Sequence, residues 1–172
     1  MKLNNKRTIL VGLAFLSICA FWQMYDSIVP LILTKTFHMN ETFSGAIMAA
    51  DNILALFLLP FFGSVSDKSH SKLGKRMPFI LFGTGCAIIL MNILPLLDNS
   101  YAAQPSGFKT ASFVIVLGLL LVAMGTYRAP AVALMPDVTP KPLRSRANAI
   151  INLMGAVGGI LYLGVAAVLY PN

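Results

Sequence analysis

Three ionisable residues sit where water should be scarce: Asp26, Asp51 and Arg128 all fall inside long apolar runs. A charge held near the centre of a bilayer costs at least roughly 2.5–3.5 kcal/mol, so each requires a partner or a water-filled cavity. Asp26 stands nine residues before Lys35, Asp51 nine after Thr42, and Arg128 nine before Asp137. At a helical rise of about 1.5 Å per residue, each lies roughly 13 Å from the nearer end of its run. In a hydrocarbon core about 30 Å thick the three would reach similar depths. Two readings follow. Either carboxylate could pair with Arg128 simply to lock a helical bundle. Alternatively the three line a polar midplane cavity in which a carboxylate takes up a proton or a cation beside a bound solute. Desolvation raises a carboxyl pKa and a neighbouring guanidinium lowers it, so such a group can be poised to titrate. Trp22, Tyr25, Asp26 and Val29 share one helical face, and Asn52 follows Asp51. An aromatic-plus-carboxylate face suits a sugar ring, although Trp and Tyr also serve as ordinary interface anchors.

The elements that must position these residues are membrane helices. Of the 172 residues, 57% are hydrophobic and only 11% are charged, with a mean hydropathy of +0.77. Five apolar runs reach the roughly 20 residues needed to span a bilayer. They are predicted near 8–33, 43–65, 78–97, 111–135 and 147–169, making one all-α transmembrane region over 1–172 with no soluble domain. The first run continues to Leu33 without a small-residue cleavage site, which fits an uncleaved span better than a signal peptide.

A formal charge of +7 could indicate nucleic-acid binding, but the charges sit in short connectors and form no basic helix or basic–aromatic alternation. They set topology instead. Of the 13 basic residues, Lys2, Lys6, Arg7, Lys68, Lys72, Lys75, Arg76, Lys141, Arg144 and Arg146 fall on one side, against Lys35 and Lys109 on the other. The rich side is predicted to be cytoplasmic, in a cell membrane, with the N-terminus inside and the chain end after the fifth span outside. Cys19 and Cys86 lie within apolar runs and His38 and His70 are isolated, so no metal site or cofactor is expected.

The most specific pattern is Gly63-Ser64-Val65-Ser66-Asp67-Lys68, read as the loop after the second span, followed by Gly74-Lys75-Arg76-Met77-Pro78-Phe79. Gly63 permits close helix contact, Asp67 can hold a helix terminus or a basic partner, and Lys68, Lys75 and Arg76 suit anionic headgroups. This pattern resembles the cytoplasmic signature of the major facilitator superfamily, in the form found in sugar:cation symporters of the glycoside–pentoside–hexuronide type and in sucrose transporters. The stretch from Tyr127-Arg128-Ala129-Pro130 to Met135-Pro136-Asp137, then Arg144-Ser145-Arg146, resembles the fourth span and following loop of the same transporters. The resemblance implies a gating role for the first loop, a second cytoplasmic loop carrying Asp137, Arg144 and Arg146, and proton-coupled symport of a sugar or glycoside by alternating access. The family's pattern is not followed throughout. Sodium-coupled melibiose carriers have aspartates where this chain has Ala55 and Leu59, and an aspartate in place of Arg128. Plant-type sucrose carriers have an arginine where this chain has Val132. A proton coupled through Asp26 or Asp51 is therefore expected in preference to sodium.

The superfamily fold has about twelve spans in two halves of six, with solute bound between them. Five spans make most of the N-terminal bundle, so the remaining helices or a complementary half are expected as partners, alongside the bilayer, the solute and the proton. A transporter of another small solute, and a non-transporting membrane protein that assembles with a carrier, stand as alternatives. An enzyme is not expected: Tyr25-Asp26 has no Gly-x-Gly-Asp counterpart of the kind intramembrane aspartyl proteases carry.

Overall fold

The computed structural model describes residues 5–72 and 74–169, and within them the side chains of Asn5, Arg7 and Asp51 lie outside the description. Lys2 and the terminal Tyr170-Pro171-Asn172, which entered the topology argument, also lie outside the described residues. Five helices follow one another: α1 (Asn5–Lys35), α2 (Glu41–Lys68), α3 (Met77–Ala103), α4 (Gly107–Val138) and α5 (Arg144–Leu169). All five are long and apolar enough to cross a membrane. Large apolar side chains stand exposed along them, including Phe57 on α2, Phe82 on α3 and Ile160 on α5, at 67%, 71% and 68%. In water such exposure would be untenable, whereas lipid tails solvate it without cost.

Each helix overruns the predicted apolar run, and this corrects three expectations. Gly63–Lys68 is the end of α2 and not a loop, so the connector to α3 is confined to residues 69–76. Asp98 and Lys109 lie within α3 and α4, leaving only 104–106 as connector where a longer loop was expected. Asp137 belongs to the last turn of α4 and Arg144 and Arg146 to the first turn of α5, with a short 3-10 turn at Lys141–Leu143 before α5. The reason is general: hydropathy marks the hydrocarbon boundary, whereas backbone hydrogen bonding carries a helix on into the headgroup layer until a turn-forming residue ends it. Local signals do end them. Asn40 caps α2 by accepting from the Thr42 N–H at 3.3 Å, Glu41 follows in the first turn, and Pro78 occupies the first turn of α3.

The chain divides into two compact units, Met1–Ile28 with Ala131–Asn172, and Val29–Pro130. In the first, α1 meets α5 along a seam of small residues. A Cβ added to Gly158 would collide with the Leu16 carbonyl oxygen and lie 3.0 Å from the Leu16 carbonyl carbon. One added to Gly155 would lie 2.9 Å from Cys19 Sγ and 3.3 Å from the Phe15 ring. Beside the seam, Met135, Ala147 and Ile151 are buried with Val11 and Phe15 packed on them. In the second unit, Gly83 of α3 faces α4 so closely that a Cβ would lie 2.9 Å from the Tyr127 backbone nitrogen and 3.0 Å from the Ala123 carbonyl oxygen. Gly125 of α4 similarly receives Leu58 of α2, at 3.2 Å from a would-be Cβ. Gly63, which the sequence suggested for close helix contact, has nothing within 4 Å of a would-be Cβ, and the same holds for Gly85 and Gly118.

Candidate functional site

Three groups of sequence-predicted residues can be placed: the midplane candidates, the polar cluster at the α2–α3 connector and the residues of the α4–α5 connector.

The α2–α3 cluster is fully assembled within the second unit. Asp67 sits in the last turn of α2, an unfavourable place for an anion because the helix macrodipole ends there with partial negative charge. Arg76 compensates. Its Nη2 lies 2.8 Å from Asp67 Oδ1, and its Nη1 donates to Ser66 Oγ at 3.2 Å. Ser66 is fully buried and donates in turn to the Gly63 carbonyl at 2.8 Å. The result is a relay from the α3 N-terminus through two side chains to the α2 backbone. Its two charges differ in environment: the Arg76 side chain is 10% exposed and that of Asp67 is 61% exposed. The connector can bring Arg76 back onto α2 because Gly74 adopts φ +98°, a left-handed conformation that suits glycine and strains other residues. Lys68 and Lys75 are exposed beside the relay, available to headgroups.

Ser66 is the residue that sequence reasoning left without a role. Its signal was present: Gly63 and Ser66 are three residues apart and therefore on one helix face once Gly63–Lys68 is recognised as helical.

At the α4–α5 connector, in the first unit, the Arg144 Nε donates to the Thr139 carbonyl at 3.4 Å. Thr139 is buried with its hydroxyl on Met135 Sδ at 3.5 Å. Arg144 thus satisfies a carbonyl just beyond the end of α4, as a cation near a helix C-terminus should. Asp137 and Arg146 are exposed.

The midplane candidates are distributed over both units. Trp22, Tyr25 and Asp26 belong to the first. Tyr25 is buried at 1% exposure, Trp22 is half-buried with its ring centroid 6.3 Å from that of Tyr25, and Asp26 is exposed. The predicted shared face is therefore divided: Tyr25 turns inward while its sequence neighbour Asp26 does not. Asn52 and Arg128 belong to the second unit. Asn52 is exposed and donates from Nδ2 to the Met48 carbonyl of its own helix at 3.0 Å, which leaves its carbonyl oxygen for other use. Arg128 is half-buried on α4. The backbone of Asp51 is part of α2, while its side chain lies outside the described residues.

Comparison with known proteins gives this geometry its context. The family model described as Major Facilitator Superfamily matches residues 11–172. Among curated proteins, the chain is 35% identical over 158 residues to sucrose transport protein SUC3 of Arabidopsis thaliana, covering 85% of this chain and 26% of that protein. It is 36% identical over 154 residues to sucrose transport protein SUT3 of Oryza sativa subsp. indica, covering 81% of this chain and 30% of that protein. Sucrose transport protein SUT1 of Oryza sativa subsp. japonica is 28% identical over 169 residues, covering 90% of this chain and 31% of its own length. The chain thus spans between a quarter and a third of the relatives it matches. No solved structure matches it. With the family model covering nearly all of its five membrane helices, this multi-pass membrane protein belongs to the major facilitator superfamily.

Proposed function

We propose that the chain forms most of the N-terminal bundle of a secondary active transporter that carries a sugar or glycoside together with a proton by alternating access. The observation that carries this reading is the similarity to sucrose transport proteins over 85% of the chain. In this reading Asp26 and Asp51 are the carboxylates that exchange the coupling proton. Arg128 sets their electrostatic environment, and Trp22, Tyr25 and Asn52 offer the aromatic surface and amide that a polyhydroxylated ring would use. Protonation suits these positions better than sodium, because sodium needs several converging oxygen ligands and Ala55 and Leu59 supply none.

The Asp67–Arg76 relay, with Gly63, Gly74, Lys68 and Lys75 around it, serves as a cytoplasmic gate, and Asp137, Arg144 and Arg146 serve as its counterpart at the next inner connector. The physical support is the exposure of Asp67. An exposed carboxylate can exchange its guanidinium partner for water, so the pair is suited to break and re-form in each cycle. In this reading the basic connectors and the N-terminus face the cytoplasm, an orientation supported by their positive charge, and the membrane is the cell membrane.

The test is uptake of labelled sugar in the full gene context, with pH and sodium varied separately. Uptake driven by an inward proton gradient, and indifferent to sodium, is expected. Stimulation by sodium alone would overturn the coupling. Asp26→Asn and Asp51→Asn then identify the coupling carboxylate, and retention of proton-driven accumulation in both would refute the assignment. Proton-driven uptake of a different small solute, with no sugar transported, would leave the mechanism standing and replace the substrate.

A further inference from the structure

A second polar site, made of none of these residues, lies within the second unit. The end of α1, the turn after it, the last turn of α3 and the α3–α4 connector border an open cavity of about 380 Å³ lined by Lys35, Thr36, His38, Tyr101, Ala102 and Pro105, with Lys35 and His38 exposed. Four of the six carry hydrogen-bond donors: an ammonium, two hydroxyls and an imidazole. None is a carboxylate, and neither Lys35 nor His38 makes an ion pair among the described residues.

Two further features show the site to be set in place. His38 has φ 50°, a left-handed conformation that costs a residue with a side chain about 1 kcal/mol and that glycine or asparagine usually fills. The strain holds an imidazole at the cavity wall where a plain turn would need none. Tyr101 is fixed by stacking on Phe37 at 4.2 Å, and Phe37 is backed by Phe113 at 4.6 Å, so the ring bearing its hydroxyl is held on one side.

Opposing charges are present and can be weighed. Two helix C-termini meet the cavity, each with a partial negative end. Three of their carbonyls are engaged: Ile32 accepts from the Thr36 and Phe37 N–H groups, Leu33 from Met39, and Ser100 from Gln104 and from Lys109 Nζ at 2.7 Å. Asp98, one turn before Tyr101 on α3, has a buried Oδ1 with no hydrogen-bond partner, but it is not among the lining residues.

We infer that this cavity binds a phosphate-class oxyanion, supplied either by a lipid headgroup phosphodiester or by free phosphate. Donors arriving from α1, the following turn and α3 suit a tetrahedral anion with several acceptor oxygens, and the cavity lies where apolar helices end and headgroups begin.

The test uses the full chain in lipid-free amphipol, with inorganic phosphate titrated by calorimetry and the His38 ring followed by NMR. Saturable binding that shifts the His38 signal is expected. Lys35→Gln should weaken it about tenfold, the loss of one charge-assisted contact. Asp98→Asn should tighten it by removing a like charge one turn away. Should Lys35→Gln fail to fold, His38→Asn keeps a residue that tolerates the left-handed turn and should weaken binding by calorimetry. Repeating the titration in phosphatidylcholine nanodiscs identifies the source: loss of the phosphate response marks a lipid headgroup already bound, and its persistence marks free phosphate. No saturable response in amphipol, or unchanged affinity in both cation variants, overturns the inference. So does saturation by glucose in place of phosphate with weakening by Asp98→Asn, which would assign the cavity to a neutral polyol.

Discussion

The two units use the same device, a glycine at a helix crossing, to different ends. In the first unit the α1–α5 seam brings backbone against backbone at Gly158 and receives the Cys19 and Phe15 side chains at Gly155, beside a small buried apolar cluster of Met135, Ala147 and Ile151. In the second, a close α3–α4 crossing at Gly83 accompanies an ion pair with one exposed partner where α2 gives way to α3 and a donor-lined cleft where α1 and α3 end. The lesson concerns which contacts can change. A seam made by the absence of side chains has no partner to exchange and cannot open without losing dispersion contacts that lipid does not fully replace. A hydrogen-bonded ion pair reaching water can be exchanged for water contacts at low cost. The chain therefore separates fixed packing from reversible contacts.

Substitutions can break or sharpen that contrast. The largest effect is expected for Gly158→Val, because its side chain would enter the Leu16 backbone, which cannot step aside as a flexible side chain would. A loss of about 3 kcal/mol should appear as a lowered midpoint of thermal unfolding in micelles. Gly85→Ala, with nothing within 4 Å, should leave the midpoint unchanged or raise it slightly, and so separates packing from helix propensity. Gly83→Ala is expected to cost about 2 kcal/mol by the same measurement, since one methyl group meets two backbone atoms near 3 Å. If it proved neutral, the α3–α4 crossing would be adjustable and the contrast between fixed and reversible contacts would weaken.

Smaller effects are expected at the relay. Gly74→Ala must hold φ +98° against its Cβ, for about 1 kcal/mol, and restoring the midpoint with Gly74→Asn would identify backbone strain as the cause. Asp67→Asn should change stability by less than about 1 kcal/mol, because the carboxylate is 61% exposed. Its informative readout is uptake in the full gene context, which should fall far more than stability does. Equal losses in both would reduce the relay to a structural clasp.

Much of this was legible in the sequence. Five spans, a basic set of connectors and the Asp67–Arg76 neighbourhood follow from apolar run lengths and from charges placed at their ends. The end of α2 was misplaced because hydropathy falls at the membrane surface while the helix continues through Gly63–Lys68. That shift hid Ser66, whose part in the relay depends on a helical repeat that a loop does not have. The cavity beside His38 was illegible for another reason: Lys35 and His38 are neighbours in the chain but Tyr101 lies far from both, and no periodicity links a turn after one helix to the end of another.

By itself, then, the sequence determined that the chain lies in a membrane, where its helices run and which connectors carry positive charge, because insertion energies depend on composition summed over about 20 residues. Only the tertiary structure decided which glycines are seams. Gly158 and Gly85 are the same residue in similar apolar surroundings, yet one touches backbone and the other touches nothing. It also decided that Arg76 reaches both Ser66 and Asp67, because that geometry depends on a single left-handed residue, Gly74, returning the chain onto the helix it has just left.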